Sequence, residues 1–355
     1  MLFRIAAGLV GLPFQPPLLF RCCCLVAGLL LAERASAQLE IPPVPEQAAT
    51  YTDLSTAPTA ETIAPVVWPA EGYWIVSTAA SPQSFDSSRP VFCPLVTRYD
   101  DCVGFRRSNM ADAKQGLIPG VPVCIVVHGS FMDTPSVTPE SRATWSWLRN
   151  ARRDQPFQMI YFSWPSDESL TSLIGIDVLL LGSRASRNGF YLASLIQSLP
   201  PECPVCLVGH SHGARVISSA LHLIGGGAVE GYRLSCSGCR GRRIRTVFAA
   251  AAIDHDWFNP GQEYDRGLCC TECLLNLRNC KDPALCVYPL RRIGSSRALG
   301  KSGFTDKDRW WLQGCACKVT DVDVSCAIGW KHMFPEYFNR PGMATLISNY
   351  VYFTE

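Results

Sequence analysis

One segment limits the possible folds more than any other: Cys203-Pro204-Val205-Cys206-Leu207-Val208-Gly209-His210-Ser211-His212-Gly213. Its short apolar run has the length and composition of a buried strand, and it ends in Gly-x-Ser-x-Gly. Helical spacing of apolar residues follows at once, through Ala214, Val216, Ile217, Ala220, Leu221, Leu223 and Ile224. Strand, sharp turn and helix in that order put Ser211 at the apex, in a strained conformation that projects its Oγ above a sheet. Side chains two residues to either side would collide there, so Gly209 and Gly213 are the residue types that fit. The five-residue pattern alone turns up by chance; the flanking strand and helix make it specific.

The rest of the chain repeats that alternation. Tyr73 to Ser77 and Pro94 to Tyr99 read as strands, and Val121 to Val127 as a buried central strand ending in His128-Gly129. Pro139 to Arg152 has helix spacing, with Thr138 as cap and Pro139 at the first helical position. Phe157 to Ser163 is the next strand, and Arg184 to Leu199 the next helix, with Phe190, Leu192, Leu195 and Ile196 on its apolar face. The helix after Ser211 stops at Gly225-Gly226-Gly227. Thr246 to Ile253 and Leu274 to Leu277 read as further strands, and Met343 to Tyr352 as a last helix. Strands alternating with amphipathic helices from about residue 120 onward predict a doubly wound, mostly parallel sheet with helices on both faces and an antiparallel N-terminal edge.

At 355 residues and 48% hydrophobic, the chain can build one large domain. A net charge of +2 and no basic run longer than Arg240-Gly241-Arg242-Arg243 give no case for a nucleic-acid partner. The N-terminus carries arginines beside two apolar stretches, and Cys22 to Ala32 is followed by Ala35-Ser36-Ala37. That pattern predicts a signal peptide over residues 1–37, cleaved after Ala37, with a retained membrane anchor as the other reading. Residues 38–71, rich in Pro, Thr, Ala and Glu, read as a linker, and residues 72–355 as the globular domain. Export implies a periplasmic or extracellular site, where most cysteines pair. Of eighteen, Cys22, Cys23 and Cys24 leave with the signal, so an odd number remains and at least one thiol stays unpaired within the chain. Cys236/Cys239 and Cys270/Cys273 also have the spacing of a four-cysteine zinc site, and buried free thiols are the third reading.

A serine hydroxyl needs a base within hydrogen-bond reach and an acid that holds that base in the right tautomer. In chains with such a turn the order is serine, then acid, then histidine. Of six histidines, His128, His210 and His212 precede or touch the turn, His222 lies in the following helix and His255 in an Asp-His-Asp loop. Only His332 lies far downstream in a loop, so it is the candidate base. Asp282, after the strand Leu274–Leu277, is the favoured acid, and Asp254, after the preceding strand, the alternative. Whichever is not the acid has a cap or loop role. Two backbone N–H groups must face the developing oxyanion: one from His212, the other from Ser130 or Phe131 in the loop after His128-Gly129. His128 is read as ordering that loop through a hydrogen bond. This chemistry calls for no metal and no organic cofactor.

These residues resemble the α/β-hydrolase superfamily. Within it, Phe162-Ser163-Trp164-Pro165-Ser166, Ala252 to Phe258, Asn279 to Leu285 and the stretch from Asp321 to His332 are similar to the bacterial DUF900-type hydrolases. The resemblance covers residues 72–352 and implies a Ser211–Asp282–His332 triad. It departs at His212, where relatives carry methionine or glutamine, and at Ala252, where they carry aspartate. The implied activity is cleavage of a small-molecule or lipid-like ester through an acyl-enzyme on Ser211. Acyl transfer by the same triad and a non-catalytic binding or envelope module of the same fold are the rival readings. The apolar segment Asp167 to Gly182 reads either as a cover that favours acyl chains and peripheral membrane contact or as an ordinary packed helix start.

Overall fold

The structure, a computed structural model, describes residues 71–84, 90–167, 174–238, 241–292, 294–340 and 342–354. The signal peptide and most of the linker expected at the N-terminus lie outside the described residues. Among the described residues, nine strands form one sheet: β1 (Gly72–Ser77), β2 (Leu95–Asp100), β3 (Gly104–Ser108), β4 (Val123–Val127), β5 (Gln158–Ser163), β6 (Val205–His210), β7 (Ile244–Ala249), β8 (Cys273–Arg278) and β9 (Val319–Asp323). Their spatial order is β3-β2-β1-β5-β4-β6-β7-β8-β9. Only β2 runs against the others: it is antiparallel to both β1 and β3, whereas β1 pairs with β5 in parallel and every pair from β5 to β9 is parallel.

The central strands are buried on both faces, as parallel strands between helix layers must be. In β4, Val123, Ile125 and Val127 join the core on one face while Cys124 and Val126 join the core on the other. β6 divides in the same way, with Val205 and Leu207 opposite Cys206 and Val208. Helices α2 (Ile174–Ser198) and α3 (His212–Ile224) pack together on the first face. On the second face α1 (Thr134–Ala151) packs against α5 (Met343–Val351), the last helix of the chain; α4 (Pro283–Val287), a single turn, follows β8. A mostly parallel, doubly wound sheet with a strand–serine–helix turn at its centre is an α/β-hydrolase fold.

Several boundaries move from their sequence positions. α1 starts four residues before Thr138: Asp133 is the cap, its side chain accepting the Ser136 N–H at 3.0 Å, and Pro135 rather than Pro139 takes the favoured first turn. The strand read over Thr246 to Ile253 is Ile244–Ala249, because Ala250 has φ 49° and the chain turns there. β3 and β9 were not anticipated. β3 reads Gly-Phe-Arg-Arg-Ser and is largely exposed, so no apolar alternation marks it. The apolar segment before Arg184 is the N-terminal half of α2 from Ile174 onward; residues 168–173 lie outside the described residues.

No disulfide joins any two of the fourteen described cysteines, so the pairing expected of an exported chain is not formed among them. The reason is geometric for Cys203 and Cys206, which belong to the cores on opposite faces of the sheet. Cys124 and Cys206 are in register on adjacent strands and fully buried. Burial, with the Cys124 thiol alongside, pushes the Cys206 thiol well up, which leaves it unreactive. Cys239, one of the four cysteines read as a zinc set, lies outside the described residues.

Candidate active site

Ser211 sits between β6 and α3 with φ 51° and ψ −121°, a region that a non-glycine residue enters only when its surroundings hold it there. Three backbone bonds do so. The Ser211 N–H donates to the Ala249 carbonyl at 3.0 Å, and its own carbonyl accepts from the N–H groups of Ala214 and Ala252, each at 3.1 Å. The glycines make the turn possible. A Cβ on Gly213 would stand 2.2 Å from the Val127 carbonyl oxygen, and one on Gly209 would stand 2.7 Å from Ile217 Cδ1 and 2.8 Å from the Ala214 nitrogen.

Three side chains lie in one line. His332 Nε2 is 3.1 Å from Ser211 Oγ, and His332 Nδ1 is 2.7 Å from Asp282 Oδ2. Nδ1 therefore donates to the carboxylate, leaving the Nε2 lone pair toward the serine hydroxyl. Asp282 is completely buried and does two things at once. Its Oδ2 meets His332, and its Oδ1 accepts the Leu285 N–H at 3.1 Å as the cap of α4. A capping role and a partnership with the histidine, set against each other in the sequence, coexist in one residue.

Asp254 is elsewhere. Its carboxylate lies against the Arg291 guanidinium, 3.1 Å from Arg292 Nη2 and 3.2 Å from the Ser296 N–H. Its partners are Arg291, Arg292, Ser295 and Ser296, whereas the carboxylate at His332 Nδ1 is that of Asp282.

Two residues without a role in the sequence reading hold the His332 loop. His210 Nε2 donates to the His332 carbonyl at 2.7 Å, since a carbonyl can only accept. Burial, then the neighbouring His332, pushes His210 down to about 3, so it stays neutral and keeps that bond. Asn279 Nδ2 donates to the carbonyls of Gly329 at 2.8 Å and Lys331 at 3.2 Å, tying the loop to the strand end that carries Asp282. Both act through main-chain carbonyls, for which no sequence pattern exists; His210 was visible only as a neighbour of Ser211.

The opposite wall is the loop after β4. The Trp164 N–H donates to His128 Nε2 at 3.1 Å, so the proton is on Nδ1, which donates to the Gly129 carbonyl at 2.8 Å. Burial pushes His128 down to about 4 and keeps this arrangement neutral. Fixing the Gly129 carbonyl also fixes the Ser130 N–H, because both belong to one planar peptide and point to opposite sides of it. Ser163-Trp164-Pro165-Ser166 clamps the same loop: Trp164 Nε1 donates to the His128 carbonyl at 2.9 Å, and Ser166 Oγ accepts the Met132 N–H at 3.2 Å. Phe131 is ruled out as an oxyanion donor, because its N–H donates to the Ser166 carbonyl at 2.7 Å. Ser130 remains, along with His212, which as the first residue of α3 carries one of the N–H groups that a helix leaves unpartnered. Gly129 lies directly against the serine; a Cβ on it would stand 3.0 Å from Ser211 Cβ.

No family model matches the chain, and no curated protein matches it. Similar solved structures include the product of lin2722 from Listeria innocua, at 11% identity over 66% of this chain and 95% of that one, with a TM-score of 0.38. The catalytic core domain of acetyl xylan esterase from Trichoderma reesei shares 14% identity over 66% of this chain and 95% of its own, with a TM-score of 0.33. A cutinase-like protein from Cryptococcus sp. shares 14% over 65% and 92%, with a TM-score of 0.30. Identities this low leave the chemistry to be read from the side chains.

Proposed function

We propose that the protein is a serine hydrolase that cleaves carboxylic esters, with Ser211 as nucleophile, His332 as general base and acid, and Asp282 as the residue that orients His332. The observation that carries this reading is the hydrogen-bonded line from Ser211 Oγ through His332 to Asp282, at 3.1 Å and 2.7 Å. Ser211 Oγ attacks the ester carbonyl carbon while His332 Nε2 takes the hydroxyl proton. The carbonyl π electrons move onto oxygen, where the N–H groups of His212 and Ser130 hold the charge. Collapse expels the alkoxide, which takes the proton from His332 and leaves as the alcohol. Water then attacks the acyl carbon, His332 takes its proton, and the Ser211–acyl bond breaks. Ser211 recovers a proton from His332 and a carboxylic acid departs.

Trp330, two residues from His332, is 71% exposed, and Leu290, Leu179 and Leu180 are also exposed. Leu179 and Leu180 lie in the first half of α2, Leu290 in the stretch after β8 and Trp330 in the stretch after β9. They favour an apolar, lipid-like acyl group and a peripheral contact with a membrane or other apolar surface. Export and the narrower likeness to DUF900-type hydrolases are proposed on the sequence elements alone.

The test is labelling of the purified chain with a fluorophosphonate probe, with Ser211→Ala and His332→Ala alongside. Wild type labels and both variants do not. A folded wild type that fails to label overturns the reading. A series of p-nitrophenyl esters then tests the acyl preference: kcat/KM rises from acetate to octanoate, and a fall along that series excludes a lipid-like substrate.

A further inference from the structure

Ser130 Oγ lies 2.6 Å from His212 Nδ1. The bond has two possible directions, and the far side of the ring decides between them. His212 is buried, and its Nε2 has no hydrogen-bond partner among the described residues. An N–H there would be a buried donor with no acceptor, the costlier of the two ways to leave a ring nitrogen unpaired. The surroundings point the same way. A Cβ placed on Gly182 would stand 2.4 Å from Arg215 Nη1 and 3.6 Å from His212 Nε2, so the buried Arg215 guanidinium and Nε2 lie close to each other beside Gly182. A lone pair is attracted to that cation and an N–H is repelled. The proton is therefore on Nδ1, and His212 donates to Ser130. Burial first, then the charges of Arg215 and Arg291, hold His212 well below the usual histidine range, so the ring does not take a second proton.

A ring that donates to Ser130 Oγ leaves the serine's own hydrogen free to be given elsewhere. Ser130 follows Gly129, the residue lying against Ser211. We propose that Ser130 supplies its hydroxyl, beside its backbone N–H, as a donor to the oxyanion, and that His212 is the positioning residue that keeps that hydroxyl in its donating orientation. The proposal rests on the esterase reading of Ser211. It gives His212, where the sequence departs from the family it resembles, a role for the side chain as well as for the N–H.

Hydrolysis of p-nitrophenyl butyrate and the rate of fluorophosphonate labelling test it on the full chain. Ser130→Ala lowers kcat by roughly 10²–10³-fold, with KM changed less than about threefold, as loss of a donor used only in the transition state requires. His212→Ala lowers kcat by about tenfold and costs nothing further in the Ser130→Ala background. His212→Asn, whose carboxamide N–H occupies the place of Nδ1–H, recovers most of the loss. A kcat within threefold of wild type for Ser130→Ala overturns the proposal, as does a His212→Ala penalty of the same size with and without Ser130. If His212→Ala fails to fold, the kcat and KM of Ser130→Ala decide alone. The two levels separate cleanly: a wild type that does not label refutes the esterase reading, whereas a wild type that labels no faster than Ser130→Ala refutes only the hydroxyl donor.

Discussion

Two serine–histidine pairs flank the central turn, and they face opposite charges. On one side His332 lies 3.1 Å from Ser211 and turns its other nitrogen to the Asp282 carboxylate. On the other side His212 lies 2.6 Å from Ser130 and has its other nitrogen near the Arg215 guanidinium. The contacts are similar and the consequences are reversed. An anion behind the ring keeps the proton on the far nitrogen, so the near nitrogen accepts, which is what the proposed activation of the serine requires. Cations behind the ring keep the lone pair on the far nitrogen, so the near nitrogen donates. The charge behind the imidazole, more than the imidazole itself, sets what its serine can do. Sequence proximity hides this, since His212 is adjacent to Ser211 and His332 is over a hundred residues away.

The largest effect comes from breaking the first pair. Ser211→Ala and His332→Ala should each lower kcat by roughly 10⁴–10⁶-fold, and the double variant should be no worse than either, because the residues act as a unit. Equal residual activity in wild type and Ser211→Ala, measured with p-nitrophenyl acetate, would remove the serine from the mechanism.

The second contrast sets the two buried aspartates against each other. Asp282→Asn keeps an oxygen to cap α4, so stability should change by less than about 1 kcal/mol. It presents an N–H to His332 Nδ1, forces the wrong tautomer and should lower kcat by about 10⁴-fold. Asp254→Asn should do the reverse. It leaves the nearly buried Arg291 without its anion and should cost about 3–5 kcal/mol of stability, with kcat of the folded protein within a few-fold of wild type. Urea unfolding and steady-state kinetics on both variants check the pair; similar profiles for the two would dissolve the distinction.

The sequence carried this much because the signals were periodic or ordered. β4 and β6 are continuous apolar runs, the glycines at 209 and 213 mark the turn, and chain order singles out His332. The unread parts lack such signals. β3 and β9 are short and partly polar, so neither alternation nor apolarity reveals them. Asp254 and Asp282 both follow strands, and only tertiary contacts with Arg291 and His332 tell them apart. Phe131 and Ser130 are equally suitable donors by sequence, and only the Ser166 carbonyl, which accepts the Phe131 N–H, separates them. His210 and Asn279 recognise backbone oxygens, which every residue has.

Neutral histidines on both walls of the site make a smaller and graded prediction, for pH. His128 is held at about 4 and His210 at about 3 by burial, against about 6.5 in the unfolded chain. Between those values the unfolded chain binds protons that the folded one refuses, so stability rises with pH from about 4 to 6.5. Each group contributes a slope of up to about 1.4 kcal/mol per pH unit. Glu140 opposes them. It is buried and accepts the Tyr161 hydroxyl at 2.7 Å, and burial pushes its carboxyl up to about 7. The folded chain holds that proton where the unfolded one has lost it, so the Glu140 contribution fades as pH rises from 4.5 to 7. Two histidines outweigh one glutamate, and the net slope stays positive. Unfolding free energies measured in urea at pH 4, 5, 6 and 7 should therefore climb. His128→Gln should flatten the climb and Glu140→Gln should steepen it. A wild-type curve that is flat or falling over that interval would mean that His128 and His210 are not held neutral, and the bonds they make to the Gly129 and His332 carbonyls would then not hold the two walls of the site.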